Sequence, residues 1–314
     1  MKKLSHVLVT GGAGYLGSVL SEHLLNAGYQ VTVLDNLLYK QHSLFHLCNN
    51  PDFDFVYGDV RNEKLIREVL KKADVIIPLA AIVGAPACDQ DPLLATSVNK
   101  DAIEMLNKLR SKDQLIIYPT TNSGYGTQSG DVFCTEDTPL EPISLYGQTK
   151  ADAEALLLQS PNTITLRLAT VFGVSPRMRL DLLVNHFVYV ALKDSYIVIF
   201  EKDFKRNFVH IRDVADCFIH SIENSKKMVG KPYNVGLESA NISKEELALK
   251  IKEYLPNFYI HFAEVGSDPD KRNYIVSNQR LKEAGFETKH SLDEGIKELI
   301  KGYQMMHREE FKNV

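Results

Sequence analysis

Cysteine is scarce in this chain of 314 residues. Cys48, Cys88, Cys134 and Cys217 stand 40, 46 and 83 positions apart, so no closely spaced metal-type pair exists and reduced thiols are expected. A basic surplus is also missing. The 36 Lys and Arg against 40 Asp and Glu leave a net charge of −4, which argues against a dedicated nucleic-acid binder. It does not exclude an anionic small ligand held by a local arginine cluster. Long hydrophobic runs are absent too. The longest, Val75 to Cys88, has 14 residues and contains Pro78, Gly84 and Pro86, whereas a membrane span needs roughly 20. Met1 to His6 leads straight into a strand-like run with no signal-peptide core, so the expectation is a cytoplasmic protein without a membrane partner. What is present is ordinary globular composition, 44% hydrophobic and 24% charged. At roughly 150 residues per domain, the length suggests two domains or one enlarged α/β domain.

The first half alternates strands and helices. Val7–Thr10, Gln30–Leu34, Phe53–Tyr57, Asp74–Ile77, Leu115–Tyr118 and Ile164–Leu166 read as strands. Leu16, Val19, Leu20 and Leu24 recur at helical spacing, and Gly28 falls where a helix end favours φ > 0. Residues 62–72 and 92–110 read as helices, the second a long one, and another begins near Tyr146. Near-continuous apolar strands joined by helices predict an α/β fold with a parallel sheet covered on both faces. Beyond residue 173 the rhythm loosens and arginines cluster. Ser243…Glu246 and Ser291…Glu294 have the spacing of N-terminal capping boxes. The boundary between a cofactor half (1–172) and a second lobe (173–314) is expected near residues 168–176.

Thr10-Gly11-Gly12-Ala13-Gly14-Tyr15-Leu16-Gly17 places G-x-x-G-x-x-G between a strand and a helix. Gly11 and Gly14 let the backbone approach a pyrophosphate seated on the helix N-terminus, and Gly17 lets that helix lie close to the sheet. Asp35 closes the next strand. A carboxylate there accepts the ribose hydroxyls and repels a 2′-phosphate, which favours NAD over NADP. Gly58-Asp59-Val60 places a polar group where it can flank an adenine.

Tyr146 and Lys150 stand four apart, on one face of a helix. A tyrosine pKa near 10 is too high for a base at neutral pH, and lowering it by about three units takes roughly 4 kcal/mol. One cation about 4 Å away supplies about that at an effective dielectric near 20, so Lys150 is sufficient in principle. Thr121 follows the fifth strand, where its hydroxyl can hold a substrate alcohol against the phenol.

Together the glycine loop, Asp35, Leu79-Ala80-Ala81, Asn99, Thr121, Tyr125-Gly126 and Tyr146…Lys150 resemble the extended short-chain dehydrogenase/reductase family, in its nucleotide-sugar epimerase, dehydratase and reductase subgroup. Arg206 to Ala215 and Asp270 to Tyr274 are similar to the family's substrate-lobe motifs. The resemblance implies a doubly wound Rossmann sheet holding NAD, with a returning segment near 206–235, and a smaller C-terminal α/β lobe binding a nucleoside diphosphate sugar. It implies cofactor contacts at Gly11, Gly14, Tyr15, Leu16, Gly17, Asp35, Asn36, Asp59, Val60, Leu79, Ala80, Ala81, Tyr146 and Lys150. Substrate contacts are expected at Val83, Thr121, Asn122, Ser123, Thr170, Arg179, Asn185, Arg206 and Arg272, with Arg206 and Arg272 toward the diphosphate. Helices 92–110 and 146–159 imply a homodimer.

Two departures narrow the reaction. Thr121 is followed by Asn122, an amide that cannot shuttle protons, so loss of water is not expected. Thr170 stands where the family often has Asn. Ala81 to Cys88 and Thr120 to Gly126 most resemble bacterial GDP-manno-heptose C4 dehydrogenases of surface-polysaccharide synthesis. The expected reaction is NAD-dependent oxidation at C4 of a nucleotide sugar. Alternatives are a 4-epimerase, a 4-keto-sugar reductase and, outside enzymology, an NAD-sensing scaffold. Arg179, Asp181 and Asn185 stand as polar hooks after Pro176. His42 and His46 lack a third ligand, so no metal is expected. Cys88 and His210 read as packing residues, and residues 297–312 as an exposed terminal helix.

Overall fold

A computed structural model describes residues 5–40, 42–128, 133–266 and 272–306. The strands are β1 (His6–Thr10), β2 (Gln30–Asp35), β3 (Phe53–Tyr57), β4 (Val75–Pro78), β5 (Leu115–Thr121), β6 (Phe133–Cys134) and β7 (Thr163–Leu168). They continue as β8 (Thr170–Phe172), β9 (Tyr196–Ile199), β10 (Lys205–His210), β11 (Pro232–Val235), β12 (Asn241–Ser243), β13 (Tyr259–Phe262) and β14 (Ile275–Val276). The helices of the first half are α1 (Tyr15–Asn26), α2 (Glu63–Leu70), α3 (Ala85–Gln90), α4 (Pro92–Thr96), α5 (Ala102–Leu109) and α6 (Leu145–Leu158). Those of the second are α7 (Leu183–Lys193), α8 (Ile211–Glu223), α9 (Ser225–Met228), α10 (Lys244–Tyr254), α11 (Gln279–Glu283) and α12 (Leu292–Gln304).

The main sheet has seven strands in the order β11-β7-β5-β4-β1-β2-β3, all paired in parallel. This is the doubly wound Rossmann arrangement, and its order reverses between β1 and β4, where ligands of such sheets bind beyond the strands' carboxyl ends. One face packs Leu8, Ile76, Ile116 and Tyr118 under α2, α5 and α6. The other packs Val7, Val9, Val33 and Ile77 under α1 and α8. That second core does not stop at the sheet. It runs on through Phe187 and Val188 of α7, Leu247 and Ile251 of α10, and Ile296, Leu299 and Tyr303 of α12. Among the described residues three small sheets, β12-β10-β8, β13-β9 and β14-β6, lie outside the main one and join strands of both halves.

Local signals act as the sequence predicts at several ends. Gly28 takes φ 83°, and the Gly28 and Tyr29 N–H groups return to Leu25 and Leu24 carbonyls. Both capping boxes form, Ser243 with Glu246 and Ser291 with Glu294. Two expectations need correction. The long helix at 92–110 is broken. Residues Ser97–Asp101 form a π-helical turn between α4 and α5. There the buried Asn99 side chain accepts from Ile82 N (2.8 Å) and donates to Ile82 O (2.9 Å). The terminal helix is not simply exposed either, because α12 buries Ile296, Leu299 and Tyr303; residues 307–312 lie outside the described set. Among the described residues no helix is long and apolar enough to cross a membrane.

Candidate active site

One cleft of about 1130 Å³ opens beyond the carboxyl ends of β1, β2, β4 and β5, with residues 168–183 on its other side. Its floor is the glycine turn. Gly11 takes φ 71°, and a Cβ there would lie 2.5 Å from Ala80 N. A Cβ on Gly17 would meet Gly11 O at 2.5 Å and Gly12 Cα at 2.6 Å, so only glycine lets α1 start this close to the turn. Helix α1 begins on Gly14 with no side-chain cap and no acidic residue in its first turn. Its positive N-terminal end therefore faces the cleft with no carboxylate in its own first turn, which suits a pyrophosphate. The residues present fit a dinucleotide.

Asp35 lies at the end of β2, where its carboxylate accepts from Ala13 N (2.9 Å) and Leu37 N (2.8 Å). Burial raises its pKa against those bonds and against the Arg177 charge. Asn36, Asp59, Val60, Leu79, Ala80, Ala81 and Val83 line the same cleft. Asp59 is paired with Arg61 at 2.7 Å, which holds its carboxyl below the usual range. Tyr15 and Leu16 also line it. The Tyr15 hydroxyl, however, donates to Gly173 O (2.8 Å) and ties α1 to the segment after β8. Replacing Asp35 with Ala is expected to weaken NAD binding about ten- to hundred-fold, the worth of a charged hydrogen bond, and to narrow discrimination against NADP. Calorimetric titration with each dinucleotide reads both; unchanged affinity and selectivity would remove Asp35 from the ribose.

At the other end, Thr121, Ser123, Tyr146, Lys150, Thr170, Arg179, Arg206 and Arg272 all line the cleft. Ser144 caps α6 by accepting from Gly147 N (3.1 Å), which starts the helix just before Tyr146. Thr121 Oγ1 accepts from Ser123 N (3.1 Å) and donates to Ser123 Oγ (3.0 Å), and Arg272 Nη1 reaches that same oxygen. Arg206 is buried and sits 5.7 Å from the Tyr274 ring. Arg179 forms an ion pair with Asp181. Of the substrate-lobe motif, Asp270 and Lys271 lie outside the described residues.

Three sequence-level assignments change. Asn122 is fully buried beneath the turn it opens and does not line the cleft; both its side-chain polar atoms lack a hydrogen-bond partner. Asn185 is also fully buried away from the cleft. Its amide is spent on structure, accepting from Gly173 N (3.1 Å) and donating to Arg179 O (2.9 Å) and Tyr15 Oη (3.1 Å). Lys150 is not among the largest influences on the Tyr146 phenol. Burial pushes that phenol up to about 12, and the charges pulling it back are Arg179 and Arg272. The Lys150 ammonium lies 4.0 Å from the Tyr118 ring centroid, and burial brings its pKa down to about 7.

Other residues now join the site. Arg177, 3% exposed, stacks at 4.1 Å on the Tyr39 ring, so a segment of the second lobe meets the loop after β2. Lys244 lines the cleft and donates to Phe200 O (3.0 Å). Arg177 belongs to the arginine-rich run after Pro176, a signal that could have found it. Nothing in the capping box marks Lys244. Cys88 and His210 pack as read: Cys88 is buried beside Ile82 and Ala95, and His210 caps α8 by accepting from Arg212 N (3.3 Å). His42 stacks on Phe45 at 4.6 Å, and His46 Nε2 is 3.7 Å from Glu22.

A parallel sheet in this order, a glycine turn under an uncapped helix and a Tyr–Lys pair at the same cleft define a dinucleotide-dependent enzyme of the extended short-chain dehydrogenase/reductase type. The chain belongs to the NAD dependent epimerase/dehydratase family, whose model matches residues 7–236, and NAD is its cofactor. Low-salt glycan biosynthesis protein Agl12 of Haloferax volcanii is 28% identical, covering 95% of this chain and 98% of its own. UDP-arabinose 4-epimerase 1 of Arabidopsis thaliana is 29% identical, covering 90% of this chain and 78% of its own. Among solved structures, a dTDP-glucose 4,6-dehydratase from Bacillus anthracis in complex with NAD superposes with a TM-score of 0.83 at 24% identity. It covers 96% of both chains.

Proposed function

We propose that this enzyme oxidises C4 of a nucleotide-activated sugar to the 4-keto sugar, with a GDP-heptose as substrate and surface-polysaccharide synthesis as its setting. The observation that carries the reading is the meeting of Thr121, Tyr146 and Lys150 with Arg179, Arg206 and Arg272 in one cleft. NAD, when bound, supplies the hydride acceptor. The Gly11–Gly17 turn, Asp35 and Lys150 hold it. Tyr146 takes the proton of the C4 hydroxyl as general base. A buried phenol resists ionisation, so the Arg179 and Arg272 charges that favour its phenolate are part of the catalytic machinery. Thr121 orients the hydroxyl. Arg206, with a planar guanidinium suited to bidentate contact, takes the diphosphate. The resemblance of Ala81 to Cys88 and Thr120 to Gly126 to GDP-manno-heptose C4 dehydrogenases supports the choice of sugar, and a homodimer belongs to the same proposal.

A second reading, a 4-epimerase, draws support from the UDP-arabinose 4-epimerase relative. It shares the oxidation and differs in returning the hydride to the opposite face. The test is a panel of GDP-, UDP- and dTDP-sugars including a GDP-heptose, followed by absorbance of reduced nicotinamide and by stereochemistry at C4. The expected result is a 4-keto product with reduced cofactor from the GDP-heptose. A C4 epimer appearing without accumulated ketone would overturn the dehydrogenase reading in favour of the epimerase.

A further inference from the structure

Helix α6 carries a third polar side chain in step with the catalytic pair. Tyr146, Lys150 and Glu154 follow one another at four-residue intervals, which sets them along one face. Glu154 is 2% exposed. Its Oε1 accepts both Arg167 Nε (2.9 Å) and Arg167 Nη2 (2.6 Å), and Arg167 is itself buried. The remaining Arg167 nitrogen, Nη1, donates to Tyr125 Oη and Glu136 O, each at 3.0 Å. Glu154 Oε2 is buried with no hydrogen-bond partner. Arginine–carboxylate pairs frequently use both oxygens in the fork geometry that arginine offers; this one leaves an acceptor unused at a place where that is costly.

We propose that Glu154 is a positioning residue of this active site, sharing one buried negative charge between Arg167 on β7 and Lys150 one turn earlier on α6, so that the lysine stays an ammonium in the cleft. The inference rests on the roles given above to Tyr146 and Lys150. The groups facing Lys150 are few. From β5 comes the Tyr118 ring, whose hydroxyl is buried and without a hydrogen bond. Along α6 itself Tyr146 and Glu154 stand one turn to either side of it, and Arg167 stands behind the carboxylate. Neutral aromatic rings attract a cation weakly, which leaves Glu154 as the charge opposing the burial that drives Lys150 down to about 7. Burial disfavours the ammonium, and without the carboxylate it would be disfavoured further. An uncharged Lys150 loses most of its hold on a ribose hydroxyl and its support for a developing phenolate.

The sign of the pH effect follows. Removing the negative charge disfavours the ammonium, so Lys150 loses its proton at lower pH and the alkaline fall in turnover begins earlier. Trace acetylation of the full-length protein across pH, read by peptide mass spectrometry, reports the Lys150 midpoint without any turnover. In Glu154→Gln that midpoint is expected to fall by about one pH unit or more, and turnover at neutral pH to drop and partly recover in mildly acidic buffer. Glu154→Asp is expected to shift less and to restore most of the activity. An unchanged midpoint in the Gln variant would overturn the proposal and leave Glu154 a structural partner of Arg167. If the Gln variant does not fold, Glu154→Gln combined with Arg167→Gln leaves no uncompensated buried charge, and an unchanged midpoint there overturns the proposal. The outcome is separable from the catalytic reading: a Tyr146→Phe protein that kept its turnover would remove Tyr146 as base and leave the labelling result standing.

Discussion

Replacing Tyr146 with Phe is expected to lower sugar turnover by about 10²–10⁴-fold, the usual worth of a positioned general base, with NAD still bound. The substitution removes one oxygen and keeps the ring. That ring packs against the small apolar cluster of Ile82, Cys88 and Ala95, so the fold has no reason to change. The glycine turn and Asp35, proposed to hold the cofactor at the other end of the cleft, are untouched. The measurement pairs initial rates at saturating sugar nucleotide with calorimetric titration of NAD. Lost turnover with retained NAD affinity supports the assignment. Turnover at the wild-type rate would show that the proton leaves by another route.

The second large effect concerns the floor of the cleft. Gly11→Ala is expected to destabilise the protein by about 2–5 kcal/mol, adding left-handed backbone strain of roughly 1–2 to overpacking of roughly 1–3, and to abolish NAD binding. At φ 71° the added Cβ lies 2.5 Å from Ala80 N and 2.6 Å from Ala80 Cα. Both are backbone atoms just after β4, and no rotamer change can move them aside. Either the turn or the segment after β4 must shift, and both line the cofactor's place. Gly28→Ala provides the internal comparison. Its φ is also positive, 83°, but no atom lies within 4 Å of the new Cβ. It is expected to cost only the strain, about 1–2 kcal/mol, and to leave NAD binding intact. Thermal melts and NAD titrations of the two variants test the argument together. Equal losses of stability would show that the close approach to Ala80 is not what requires glycine at position 11.

Much of the fold was legible because its determinants are local. Apolar runs such as Val7–Thr10 and Leu115–Tyr118, short and rich in β-branched residues, read as buried strands; Gly28 and the two serine-led capping boxes mark helix ends through contacts a few residues away. The break at Ser97–Asp101 was not legible. It accompanies hydrogen bonds between Asn99 and Ile82, 17 positions apart, which no helical periodicity reports. The site shows the same division. Glycine spacing and the carboxylate closing β2 point to a dinucleotide directly, whereas Asn122 and Asn185 look like ligand amides in one dimension. Only packing shows that Asn185 spends its amide on the backbone around Arg179 and Gly173. Lys150 is the sharpest case. Its spacing from Tyr146 suggests a charge acting on a phenol, but the desolvation that lowers its own proton affinity belongs to the folded state. The Arg177–Tyr39 stack joins residues from opposite halves of the chain, and neither residue announces the other.

The apolar core shared by the sheet and by α7, α10 and α12 has a consequence for how this enzyme can be re-engineered. A chimera cut near residue 172, with a relative's second lobe grafted on, would tear one core in two and leave Val7, Val9, Val33 and Ile77 against partners they were not shaped for. Substrate choice in such a scaffold is therefore not an exchangeable module. It has to be altered residue by residue along the rim of the cleft, at positions such as Thr170 and Lys244, with the interior left as it is.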